Sequence, residues 1–97
     1  MFEATKEQVN EWKHKHGEVF RVVVEDKACY LRKPDRKILS FAASAGKTDP
    51  MRMSETLLKN CWLDGDMEIQ TEDAYFLGAS SKLDQLITIK EAELEKL

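Results

Sequence analysis

The sequence has few of the residues that cross-link or interrupt a chain. Its 97 residues include only two cysteines, two prolines and four glycines. Two cysteines are too few for a disulfide-built scaffold and suit a reducing cytoplasm. We expect Cys29 and Cys61 to be small buried apolar side chains. No repeat or low-complexity segment is present.

Long apolar runs are missing too. No run of about 18 apolar residues exists, which excludes a membrane-spanning helix. The first residues, MFEATKEQ, lack the basic and apolar regions of a secretory leader, so we expect a cytoplasmic protein. With 42% apolar and 34% charged residues, the composition is that of an ordinary soluble protein. The length predicts one domain, residues 1–97.

Arrangements that support catalysis or metal binding are absent from the sequence. His14 and His16 would point to different sides of a helix and cannot share a metal there. Asp64, Asp66 and Glu68 lack the twelve-residue frame of a calcium loop. The segment 44–47 lacks the frame of a phosphate loop. We therefore expect no catalytic residues, no metal, no cofactor and no enzymatic activity.

Charge is distributed unevenly along the chain. Residues 1–53 contain eleven Lys/Arg and eight Asp/Glu, whereas residues 54–97 contain four and ten. The acidic second half predicts either a solvated acidic face on the last helices, or charge complementarity between subunits or with a basic partner. No basic stripe is interleaved with aromatic residues, so we expect neither nucleic acid nor membrane as a partner.

Capping residues and apolar spacing predict an α+β fold. Thr5 and Gln8 form a capping box for a first helix over residues 6–16, with Val9, Trp12 and His16 on its inner face. Residues 19–32 predict one β-hairpin with a turn at 26–27, which pairs residue 25 with residue 28. One hairpin face would be apolar: Phe20, Val22, Val24, Cys29 and Leu31.

Three further helices are expected after the hairpin. Asp35 would cap the second helix, which ends at Gly46 and carries Ile38, Phe41, Ala42 and Ala45 on its inner face. Asp49 and Pro50 would start the third, which has the widest apolar stripe. The turn at 64–66 and a linker would lead to a long C-terminal helix over 72–96, capped by Thr71 and bent near Gly78.

Three side chains are candidates for binding a protein partner. Trp62 ends an apolar row just before a turn, where it could pack in the core or anchor a partner. Tyr30 and Arg32 lie on the amphipathic face of the hairpin. Because a lone hairpin leaves its edges unpaired, either helices cover both of its faces or it pairs with another subunit. The sequence therefore allows a homo-oligomer as well as a monomer.

The chain resembles the small tail-assembly chaperones of tailed phages and prophages. Besides the acidic C-terminal region, four sequence words carry the resemblance: Glu11-Trp12-Lys13, Tyr30–Arg36 (YLRKPDR), Asp49-Pro50-Met51 and Leu57–Trp62 (LLKNCW). The resemblance implies a protein of the bacterial host cytoplasm that coats the tape-measure protein and brings tail tube subunits to it. It implies no enzymatic activity and no defined set of binding residues. The alternative is a small cytoplasmic regulatory adaptor that dimerises through its C-terminal helix.

Overall fold

A computed structural model describes the whole chain, Met1–Leu97. The fold is mixed α+β, with five α-helices and one antiparallel three-stranded sheet of order β1-β2-β3. The helices are α1 (Lys6–His16), α2 (Arg36–Ala45), α3 (Pro50–Cys61), α4 (Glu68–Thr71) and α5 (Asp73–Ser80). The strands are β1 (Val19–Val24), β2 (Lys27–Arg32) and β3 (Trp62–Gly65), and a 3-10 helix covers Leu83–Leu86. None of the helices has the length and apolar character needed to cross a membrane.

The predicted caps of the first three helices are confirmed. The side chains of Thr5, Asp35 and Asp49 each accept a hydrogen bond from a backbone N–H in the first turn of α1, α2 and α3, at 2.8–3.1 Å. Gly17 and Gly46 follow the last residues of α1 and α2. These boundaries depend on neighbours in sequence, which is why local chemistry predicts them.

The hairpin forms with a different register from the one expected. Its turn is Glu25-Asp26 rather than residues 26–27, so Val24 pairs with Lys27 and Val22 pairs with Cys29. Glu25 adopts a positive φ of 54° at the turn. Each partner differs by two residues from the prediction, and side chains alternate between faces with a period of two. The predicted face therefore remains apolar.

A third strand replaces the expected helix end and turn. Trp62–Gly65 runs antiparallel to β2, with Leu31 opposite Trp62, Tyr30 opposite Asp64, and an irregularity between the two pairs. At Gly65, φ is 155° and an added Cβ would lie 2.5 Å from the Cα of Cys29. Only glycine fits this approach to β2.

Asp66, expected to lie in a turn, joins three parts of the chain. Its carboxylate accepts hydrogen bonds from the backbone N–H groups of Phe2 and Ala28, both at 2.9 Å. These two bonds hold the pKa of Asp66 below its usual value. The residue therefore fixes the N-terminal segment and the start of β2 to the end of β3.

The predicted long C-terminal helix is wrong. The expected linker contains α4, Thr71 ends α4 instead of capping a helix, and α5 stops at Ser80. A turn then redirects the chain, so that Leu83 and Leu86 of the 3-10 helix are buried. Residues 87–97 have no regular secondary structure.

The core lies on one side of the sheet. Twelve buried side chains form it: Val22, Cys29, Leu31, Ala42, Leu57, Leu58, Cys61, Ile69, Phe76, Ala79, Leu83 and Leu86. At Gly78 an added Cβ would lie 2.8 Å from Val24 Cγ1, so α5 packs closely on β1. The Tyr75 hydroxyl donates to the Asp26 carboxylate at 2.7 Å, which ties α5 to the hairpin turn.

The other side of the sheet is covered by α1 and the residues before it. Val9, Trp12 and His16 are half-buried on the inner side of α1, as the spacing predicts. Phe2 and Trp12 place their rings 6.0 and 5.5 Å from the ring of Tyr30. Helices therefore cover both faces of the hairpin, one of the two arrangements that the sequence left open.

Candidate protein-binding surfaces

The three candidate partner-binding side chains do not share one exposed surface. Tyr30 is only 6% exposed, and its hydroxyl accepts a hydrogen bond from the Ala4 N–H at 3.3 Å. Trp62 lies opposite Leu31 on β2, packs against the core and is half-buried. Because neighbouring residues of a strand point to opposite faces, Tyr30 and Trp62 lie on opposite sides of the sheet.

Arg32, the third candidate, has a local partner. Its guanidinium lies 3.4 Å from the carboxylate of Asp35, and the same carboxylate caps α2. The side chain of Arg32 is about one-quarter exposed, at 27%. Arg32 therefore joins the end of β2 to the start of α2.

A shallow cleft between α3 and α5 exposes apolar side chains of both helices. The cleft has a volume of about 250 Å³. We call it the α3–α5 cleft and define it by Met51, Glu55, Asp73, Phe76 and Leu77. Met51 is 42% exposed and Leu77 is 52% exposed, whereas Phe76 is buried beneath them.

The α3–α5 cleft results from helical spacing on two neighbouring helices. Met51 and Glu55 are four residues apart on α3, and Asp73 and Leu77 are four apart on α5, so each pair lies on one side of its helix. The cleft therefore combines two exposed apolar side chains with two carboxylates. Such a surface suits an apolar side chain with a cationic neighbour.

The outward side of α2 is a second exposed surface. We call it the α2 outer face, and it consists of Arg36, Lys37, Ser40, Phe41, Ser44 and Ala45. Phe41 is 59% exposed, so its predicted place in the core is wrong. The helix carries two basic residues and no acidic residue. Helical spacing placed Phe41 beside Ala42, but only the position of α3 decides which of the two becomes buried.

The edge of the sheet at β1 also lies open, because β2 has β1 on one side and β3 on the other. Val23 of β1 is about half-exposed, at 49%. A groove of about 290 Å³ lies between β1 and the 3-10 helix, and Gln85 of that helix and Lys82 just before it contribute to its wall. An unpaired edge of this kind can accept an additional strand.

Neither cysteine lies on these surfaces. Both Cys29 and Cys61 are free and fully buried, as the sequence predicts. Burial raises the pKa of the Cys29 thiol to about 12 and that of the Cys61 thiol to about 11. Both are therefore uncharged at neutral pH, and a thiol is a poor nucleophile compared with a thiolate.

The candidate surfaces consist of apolar and charged side chains. No group of three or more His, Cys, Asp or Glu side chains is placed to hold a metal ion. The exposed features are apolar side chains beside charges of one sign: acidic at the α3–α5 cleft, basic on the α2 outer face. Neither the sequence nor the fold matches a known protein family, a curated protein or a solved structure.

Proposed function

We propose that this protein is a non-enzymatic assembly factor of the phage tail-assembly chaperone kind, acting in the bacterial host cytoplasm. Its clients would be the tape-measure protein and, through it, the tail tube subunits. The resemblance of the four sequence words supports the identity of the clients. The exposed Met51 and Leu77 above the α3–α5 cleft support a role in binding protein.

The α3–α5 cleft has properties that suit an elongated client with a repeated apolar face. Methionine has an unbranched side chain and adapts to irregular apolar surfaces. Glu55 and Asp73 add negative charge at the same place. We expect the cleft to bind helical segments in which an apolar residue is accompanied by Lys or Arg.

This proposal moves the client surface away from Tyr30, Arg32 and Trp62. Tyr30 is buried under the N-terminal segment, so its substitution by Ala would reduce folding stability together with any effect on binding. Substitutions at Met51 and Leu77 change exposed side chains and leave the core in place. They are therefore the sharper test of client binding.

Co-expression with the tape-measure protein from the same phage or prophage tests the proposal. We expect the unaltered chain to keep the tape-measure protein soluble and to co-purify with it. The double variant Met51→Ser/Leu77→Ser should lose this effect. Met67→Ser is the matched control, because Met67 is also about half-exposed but does not line the cleft, and it should behave like the unaltered chain.

Two results would contradict the proposal in different ways. If the tape-measure protein aggregates equally with and without this chain, the chaperone function is wrong. If the double variant protects it as well as the unaltered chain does, the function stands and the α3–α5 cleft is not the client surface. The regulatory adaptor remains the alternative, and it predicts self-association without any effect on the tape-measure protein.

A further inference from the structure

The end of the chain makes little contact with the rest of the molecule. We call residues 88–97 the C-terminal arm. The most exposed large apolar side chains of the protein all lie in this arm: Ile89, Leu94 and Leu97. Leu94 is 99% exposed. The radius of gyration is 14.9 Å and the longest dimension is 55 Å, against a radius of roughly 12.5 Å for a compact chain of this length. The arm therefore projects from the body.

The arm has the composition of an amphipathic helix that lacks a partner. From Lys90 to Leu97 it contains only Lys, Glu, Ala and Leu, which are among the best helix formers. In a helix, Leu94 and Leu97 would lie on one side, with Glu91 and Glu93 on its two flanks. A segment this short is not stable as an isolated helix in water and needs a surface to pack on.

The α2 outer face has the complementary properties. Phe41 protrudes at its centre, and the nearby side chains of Ser40, Ser44 and Ala45 are small enough to let a helix approach closely. Arg36 and Lys37 contribute positive charge to the same face. The carboxylate of Asp35, which precedes this face in the chain, is engaged with the Ile38 N–H and Arg32.

We propose that the C-terminal arm of one chain folds as a helix on the α2 outer face of a second copy. Leu94 and Leu97 would pack against Phe41, and the arm's glutamates would lie near Arg36 and Lys37. Each chain has one arm and one α2 outer face, so a two-fold dimer makes the contact twice. Leu94 is 99% exposed and Phe41 is 59% exposed, so the arm does not cover the α2 outer face of its own chain. This inference does not rest on the proposed client.

Sedimentation of the full chain tests the inference through its oligomeric state. We expect the unaltered chain to dimerise, and both Phe41→Ser and Leu94→Ser/Leu97→Ser to raise the dimer Kd by about tenfold or more. Met67→Ser is the control for removal of an exposed apolar side chain, because Met67 is about half-exposed and belongs neither to the arm nor to the α2 outer face, and it should leave the Kd unchanged. Circular dichroism should show the same folded body in every variant, because all the changed side chains are exposed.

Charge reversal distinguishes this contact from non-specific apolar association. Arg36→Glu/Lys37→Glu should weaken dimerisation, and so should Glu91→Lys/Glu93→Lys. The four changes combined in one chain should restore it. An unaltered chain that stays monomeric at every concentration would overturn the inference. This holds also if the arm of that monomer is helical and packs on its own body. Dimerisation that Phe41→Ser leaves intact would overturn it as well.

Discussion

The helices α2 and α3 look alike in sequence but lie at different depths. Each is capped by an aspartate and has an apolar stripe with helical spacing. Yet α3 buries three side chains, Leu57, Leu58 and Cys61, whereas α2 buries only Ala42. Phe41, the largest apolar side chain of α2, is mainly exposed. An apolar stripe therefore predicts which side of a helix faces inward, but not how much of that side is covered.

The difference follows from the neighbours of each helix. On its various sides α3 contacts α2, β2, α4, α5 and the 3-10 helix, whereas α2 packs chiefly on α3. A helix in the outer layer has only one line of contact, so Ile38 and Leu39 are half-buried and Phe41 lies beyond the edge of that line. Four substitutions test this comparison, from the largest expected effect to the smallest.

Leu57→Ala in α3 should have the largest effect. Leu57 is buried, and its truncation should lower the free energy of unfolding by about 2–5 kcal/mol, because a cavity forms in a close-packed core. Chemical denaturation measures the loss. Leu77→Ala, at an exposed leucine of α5, is the control and should change stability by less than about 0.5 kcal/mol. A small loss at Leu57 would mean that α3 is not the central helix.

Gly46→Ala tests the contact between the end of α2 and α3. The added Cβ would lie 2.8 Å from the Cβ of Met53, so one of the two helices must shift. We expect destabilisation of about 1–3 kcal/mol, as for other overpacked sites. The neighbouring change Lys47→Ala, at an exposed residue, should have no measurable effect on thermal or chemical unfolding. Equal stability of the two variants would show that the helices separate there without cost.

Ile38→Ala in α2 should cost less than Leu57→Ala. Part of the Ile38 side chain already contacts water, so less apolar surface is lost from the core. We expect a loss of about 1–2 kcal/mol in chemical denaturation. Equal losses at Ile38 and Leu57 would contradict the outer position of α2.

Phe41→Ala should have the smallest effect on the isolated chain. At low protein concentration we expect a change of less than about 0.5 kcal/mol, as at other exposed positions. If the C-terminal arm of a second copy covers Phe41, the loss should grow with protein concentration, because association stabilises the folded chain by mass action. Thermal unfolding at several protein concentrations measures both the loss in the isolated chain and the loss that grows with concentration. A large loss at every concentration would place Phe41 in the core.

Local chemistry in the sequence determined several features of this protein. The caps at Thr5, Asp35 and Asp49 bind backbone N–H groups within three residues, so their neighbours in sequence are enough to predict them. The alternation of the hairpin keeps its apolar face even though the turn lies one residue earlier than expected. Both cysteines were correctly predicted to be buried, since they belong to apolar rows.

Contacts between distant segments decided the rest. Trp62–Gly65 became a strand because β2 offers an unpaired edge and because Gly65 can approach the Cα of Cys29 closely. The predicted C-terminal helix ended at Ser80 because the turn that follows buries Leu83 and Leu86. Exposure of Phe41 depends in the same way on where α3 lies. Periodicity describes one segment at a time, whereas strand pairing and burial are set by the surfaces that other segments provide.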